Sequence, residues 1–244
     1  AEVRGAAHGE RGMVVGAGTQ RASGGMVVSA NAIASRVGTR VLMEGGNAVD
    51  AAIATAFALA VVHPTAGNIG GGGVMVVRFP DGRTAALDFR EKAPLAAHPG
   101  MFLDENGDYS SRIHHNSHLA VGVPGTVAGL ALAHQRFGTG DWERLVDPAV
   151  RLAGKGFELS EGLARSLQGA LRSMERYPAS VAAFSKNGTP YQAGERWRQP
   201  DLARTLERIR DQGRDGFYAG ETTRLIAEEM VRGGGMITAE DLAL

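Results

Sequence analysis

Cysteine is missing altogether from the 244 residues. Its absence excludes disulfide staples, thiolate nucleophiles and Cys-ligated zinc or iron–sulfur centres. Net charge is missing too, since 26 Lys and Arg balance 26 Asp and Glu. That balance argues against a general nucleic-acid or polyanion binder. No hydrophobic run is long: the most apolar one, AAIATAFALAVV at residues 51–62, is too short to cross a bilayer. It is Ala-rich and reads as a buried helix. There is no initiator Met, so a processed or trimmed N-terminus is expected, with any signal peptide already removed. Low-complexity linkers and internal repeats are also lacking. What is present is a 43% apolar content, enough for a sizeable core in one large domain or two small lobes.

Residues 26–29 are short and β-branched and predict a strand. Ile33, Val37 and Val41 then recur every four residues, one stripe of a first helix that Gly45-Gly46 ends. Asn47 is placed to cap a second helix, with Asp50 in its first turn. From residue 48 to 62 only Asp50 and Thr55 are not apolar, the pattern of a helix buried on every side. After His63-Pro64 and a glycine run, residues 73–79 and 83–91 flank Pro-Asp-Gly and predict a β-hairpin. Residues 103–111 read as a polar surface loop. From Gly122 onward the pattern turns helical. Pro124 fits the first helical position of a segment whose Val127, Leu130, Ala131 and His134 share a face. Further helices are expected at 142–154, 161–176, 200–210 and 220–232. The chain therefore divides into an α/β part (residues 1–120) and a mainly helical lobe (residues 121–244).

The glycines Gly70, Gly71, Gly72 and Gly73 raise a question of phosphate binding. A phosphate loop needs a following Lys and hydroxyl, and a dinucleotide fingerprint needs its glycines between a strand and a helix. Here the run opens a strand and neither Lys nor hydroxyl follows. Two readings remain: a tight turn with close backbone packing, or backbone kept bare so that a ligand or catalytic group from another segment fits beside it. His114, His115 and His118 include one pair at metal-ligand spacing. They lie in a Ser/Asn-rich stretch without an adjacent acidic partner, so a solvated loop is expected. The acidic cluster at 104–108 lacks the ligand spacing of a calcium loop and reads as a turn. Asp88 and Arg90 fall on one face of the second hairpin strand, with Phe89 and Glu91 on the other. A guanidinium there suits bidentate capture of a carboxylate, or an internal ion pair with Asp88 or Glu91. On the residues alone both stand. Thr126, Thr222 and Thr223 sit in helix-forming stretches with nothing adjacent to activate a hydroxyl.

Four stretches, taken in order, carry a resemblance: GGNAVDAAIATAFALAVVHPTAGNIGGGG, LDFREKAP, GVPGTVAGL and GGGMITAEDLA. Together they resemble the large-subunit half of γ-glutamyltranspeptidases from about Gly24 to Leu244. The resemblance implies an α+β fold, the four-layer αββα sandwich of N-terminal-nucleophile hydrolases, to which this chain supplies part plus a helical lobe. It implies a precursor that cuts itself into large and small subunits. The small subunit's new N-terminal Thr attacks a γ-glutamyl amide such as glutathione, and its own amino group can act as the base. The γ-glutamyl group then passes to water or to an amino acid or peptide. Acylases for glutaryl, cephalosporin or polyglutamyl substrates share the pattern. Because the family pattern continues past Leu244, the sequence is expected to be a fragment without the nucleophile, with no catalytic residue of its own and no activity alone. The resemblance makes Arg90 the group that binds the glutamyl α-carboxylate, Glu91 a supporting neighbour, and Gly70–Gly73 a structural strand entry. It calls for no metal, cofactor, nucleic acid or membrane insertion. It names the small subunit as partner, γ-glutamyl compounds as ligands, and the periplasm or exterior as location.

Overall fold

The computed structural model describes residues 22–244. Helix α1 (Ala32–Met43) starts at Asn31, whose side chain accepts the Ile33 N–H at 2.8 Å and donates to the Val62 carbonyl at 3.0 Å. It ends where Gly45 takes φ +94 and the Gly46 N–H returns to the Val41 carbonyl. Helix α2 (Ala48–Val62) has the expected cap: Asn47 accepts the N–H groups of Val49 and Asp50, and Asp50 accepts that of Asn47. Ile53, Phe57 and Val61 on α2 are fully buried, each stabilising the fold by roughly 2 kcal/mol. The two helices meet at Gly38, where a Cβ would come within 2.2 Å of Thr55 Oγ1.

The strand expected at residues 26–29 is not formed. The backbone there is irregular and Val28 is 83% exposed. Among the described residues its apolar, β-branched run has no ladder partner, and a strand exists only through its pairing.

The hairpin is formed. Strand β1 (Val74–Arg78) pairs antiparallel with β2 (Thr84–Asp88), in register from Val74 opposite Asp88 to Arg78 opposite Thr84. Both strands are shorter than their apolar runs, although Gly73 and Phe89 exchange two further backbone hydrogen bonds. Met75, Val77 and Leu87 face the core, whereas Val74 and Val76 are 60% and 76% exposed.

The rest is mainly helical: α3 (Ser111–Asn116), α4 (Thr126–Phe137), α5 (Trp142–Lys155), α6 (Glu161–Met174), α7 (Pro178–Phe184), α8 (Pro200–Gln212), α9 (Asp215–Tyr218), α10 (Gly220–Gly233) and α11 (Ala239–Ala243). Four expected helices appear here as α5, α6, α8 and α10, with ends moved by one or two residues. Pro124 is not at the first helical position. Gly125 is the N-cap and α4 begins at Thr126, because partners from elsewhere in the chain hold the turn at Gly125. The histidine stretch is not a plain loop either, since Ser110 caps the short α3. Residues 103–109 are an exposed turn, as expected. A short ladder, β3 (Phe157–Glu158) with β4 (Arg196–Trp197), had no sequence signal.

One apolar core runs through these elements. Helix α2 lies at its centre, in contact with α1, α4 and α5. The content is mixed helix and strand. Among the described residues, no helix is long and apolar enough to cross a membrane.

Candidate functional site

The chain leaves α2 at His63 and doubles back. The Gly67 N–H bonds the His63 carbonyl at 2.7 Å, and a Cβ on Gly67 would lie 2.1 Å from the Leu59 carbonyl oxygen. Asn68 then organises the glycine run. Its Oδ1 accepts the Gly71 N–H at 2.8 Å and the Thr126 hydroxyl at 2.6 Å. The Gly71 carbonyl accepts the N–H groups of Gly125 and Thr126 at 2.7 and 3.0 Å. The start of α4, which has no side-chain cap on Gly125, is thus closed by a backbone oxygen of the glycine run. A phosphate would need those same N–H groups, so the geometry opposes a phosphate cradle.

The remaining glycines grip the end of β2. A Cβ on Gly72 would fall 2.6 Å from the Phe89 carbonyl oxygen and 2.9 Å from Arg90 Cα. On Gly73 it would meet the Phe89 ring at 2.8 Å. From the opposite side, Cβ atoms on Gly125 and Gly129 would each come within 2.1 Å of Phe89 atoms. Four glycines therefore enclose Phe89 in a space no side chain can share. Gly70, by contrast, has nothing within 4 Å of a built Cβ.

Arg90 follows directly on this clamp. Its N–H donates to Asp88 Oδ1 at 3.0 Å, which turns the chain out of the strand. The guanidinium is 73% exposed, and its Nε lies 3.3 Å from Glu91 Oε2. Among the described residues its terminal nitrogens have no hydrogen-bond partner. An exposed pair of this kind contributes about 0–1 kcal/mol to the fold. A cleft of about 210 Å³ opens beside it, lined among others by Asp88, Lys92, Arg214 and Tyr218.

The other candidates are held apart. His114 stacks on His115 and accepts or donates with the Tyr109 hydroxyl at 2.8 Å. His118 instead meets Glu229 at 2.8 Å, an acidic partner from 111 positions away. Among the described residues no three His, Asp or Glu side chains converge as metal ligands. Asp104 folds its own turn by accepting the N–H groups of Asn106 and Asp108. The hydroxyls of Thr222 and Thr223 donate to the Gly216 and Phe217 carbonyls, and both residues are buried. Asp50 is fully buried at the start of α2. Burial opposes its ionisation, but the Asn47 N–H, the Thr139 hydroxyl and the Gly140 and Thr139 N–H groups outweigh that and hold its carboxyl below the usual range.

Two residues of the clamp escaped sequence reasoning. Asn68 lies inside the glycine motif and could have been singled out as a polar residue able to bond its own backbone. Tyr218 carries no local signal, because its partners lie 90 positions or more away.

The family model for gamma-glutamyltranspeptidase matches residues 34–244. A glutathione hydrolase proenzyme of Pseudomonas sp. (strain A14) is 50% identical over 222 residues, covering 91% of this chain and 39% of that protein. The glutathione hydrolase proenzyme of Escherichia coli (strain K12) is 48% identical over 224 residues, with the same two coverages. The crystal structure of Helicobacter pylori gamma-glutamyltranspeptidase aligns with a TM-score of 0.90 at 45% identity, covering 93% of this chain and 65% of that one. The chain thus spans well under half the length of those two curated relatives. Since the family model takes in nearly all of the described residues, glycine run and Arg90 included, the chain belongs to the γ-glutamyltranspeptidase family.

Proposed function

We propose that this chain is the first part of the large subunit of a γ-glutamyltransferase and glutathione hydrolase, and that Arg90 holds the donor. One observation carries the reading. A guanidinium whose terminal nitrogens are unengaged among the described residues stands at a strand end fixed by four glycines, beside an open cleft. That is the arrangement a bidentate carboxylate contact needs. Arg90 takes the α-carboxylate of the γ-glutamyl group, Glu91 steadies Arg90 through its Nε, and Gly70–Gly73 shape the strand entry without touching the chemistry.

The nucleophile belongs to a small subunit released from the same precursor, which is the partner of this chain. Its N-terminal Thr hydroxyl adds to the γ-carbonyl and passes its proton to the α-amino group. The leaving amine takes that proton as the C–N bond breaks, giving a γ-glutamyl ester. Water or an acceptor amine then displaces the Thr oxygen. The hairpin joins a four-layer αββα sandwich completed by strands from the rest of the protein. Residues 1–120 form the α/β part and residues 121–244 the helical lobe. The enzyme works in the periplasm or outside the cell.

The test compares γ-glutamyl and glutaryl anilides with the complete enzyme, and with residues 1–244 alone. The glutaryl compound lacks only the amino group. Selective hydrolysis of the γ-glutamyl compound by the complete enzyme, and none by the fragment, is expected. A preference for the glutaryl anilide would instead make the protein an acylase.

A further inference from the structure

Helix α4 lacks a side-chain cap at Gly125, yet its first amides are not orphaned. The Gly71 carbonyl takes two of them. The Ala128 N–H is taken by the hydroxyl of Tyr218, at 3.3 Å. The same hydroxyl donates to the Pro124 carbonyl at 2.8 Å. A phenol has one proton to give and lone pairs to accept with, so both bonds form together. Tyr218 is 5% exposed. Burial pushes its phenol up, against the opposing effect of the Ala128 amide and the Arg214 charge, and the group stays protonated at neutral pH.

The turn it fastens, residues 124–128, is the far wall of the Phe89 clamp, because Gly125 presses on the Phe89 carbonyl and Gly129 on its ring. Arg214 lies over the Tyr218 ring, 4.7 Å from its centroid, so the ring also faces the cleft beside Arg90. Three stretches distant in sequence thus meet at one backbone position: the glycine run in front of Phe89, the α4 turn behind it, and α9 behind the turn.

We propose that Tyr218 is a positioning residue for substrate: by bridging the Pro124 carbonyl and the Ala128 amide, it fixes the turn that sets where Arg90 presents its guanidinium. The proposal rests on Arg90 being the donor-carboxylate ligand. The Tyr218 hydroxyl is engaged by the Pro124 carbonyl and the Ala128 amide, so it acts through the turn. Removing its hydroxyl loosens the turn, widens the range of Arg90 positions and weakens donor capture, while the chemical step is spared.

The experiment measures Tyr218→Phe and Arg90→Lys in the complete enzyme on two donors. One is a γ-glutamyl anilide and the other its 4-aminobutanoyl counterpart, which lacks only the α-carboxylate. Leu167→Ala, a buried change on α6, serves as a purely structural control. For Tyr218→Phe the expected result is a rise of about three- to tenfold in KM for the γ-glutamyl donor, at nearly unchanged kcat. The 4-aminobutanoyl donor should be almost unaffected. Faster hydrogen exchange at the Ala128 amide should accompany the change. Leu167→Ala should lower the melting temperature and leave the ratio between donors alone. If Arg90→Lys discriminates between the donors and Tyr218→Phe does not, the positioning role is overturned and the Arg90 reading survives. If neither discriminates, both are overturned.

Discussion

Helix α2 is capped from inside its own sequence, whereas α4 is capped by residues far along the chain. At α2 the cap is Asn47 with Asp50, three positions apart. At α4 the Thr126 hydroxyl reaches Asn68 and the Ala128 amide meets Tyr218, at separations of 58 and 90 positions. The first arrangement makes a helix where local chemistry asks for one. The second makes a helix start only once the fold has assembled, and in doing so ties the fold to the strand end that carries Arg90. The α2 cap is closed by its own residues, and Asn47 and Asp50 then also hold Phe137, Thr139 and Gly140 from 89 or 90 positions away, which serves stability. The α4 cap has no local closure, and its distant partners tie it to the strand end beside Arg90.

Substitutions sharpen this contrast. The largest effect is expected at Gly125→Ala, where the new Cβ would sit 2.1 Å from the Phe89 carbonyl oxygen. Backbone cannot yield cheaply there, so a loss of about 3 kcal/mol in chemical denaturation is expected, with impaired donor binding. Asp50→Asn comes next. It leaves the shape of the α2 cap but weakens the charge-assisted bonds to Asn47, Thr139 and Gly140, at about 2 kcal/mol. Donor kinetics should not change. The same site predicts a pH dependence. Asp50 has a folded-state pKa below its unfolded value, so its contribution is complete above about pH 4 and fades as the pH falls through the lowered value. Urea titrations between neutral and acid pH should show a shallower acid loss in Asp50→Asn than in the parent. An identical slope would mean that other carboxylates dominate. Smaller again is Thr126→Val, which removes the 2.6 Å bond to Asn68 at about 1 kcal/mol. Because it loosens the shared cap, it should raise the KM for donor slightly. Asp50→Asn, though more destabilising, should not.

The same contrast explains what could be read from the sequence. The caps, stripes and turn chemistry of α1, α2 and the hairpin are local, and they appear where Asn47, Asp50, the Ile33–Val37–Val41 stripe and Pro-Asp-Gly put them. The longer helices α5, α6, α8 and α10 announce themselves by periodicity. The failures have the opposite character. Residues 26–29 had strand composition and no pairing partner among the described residues. Pro124 had helix-start chemistry, but Gly71 and Tyr218 set the start two residues later. The β3–β4 ladder and the short α9 leave almost no local trace, whereas α7 begins on Pro178 and α11 on a Thr238–Asp241 capping box, local signals too brief to stand out without a periodic stretch behind them. At the site, Arg90 and the glycines stood out as residue types. Only the fold showed that Gly72 and Gly73 help to enclose Phe89, and that Glu229 meets His118.

The most direct test concerns Arg90 itself. In the complete enzyme, kcat/KM for a γ-glutamyl anilide and for its 4-aminobutanoyl counterpart should be measured before and after Arg90→Lys. Lys keeps the charge and loses the bidentate fork. The account predicts that the γ-glutamyl donor loses at least tenfold, chiefly through KM, while the donor without the α-carboxylate changes little. An equal loss on both donors, or none on either, would contradict it.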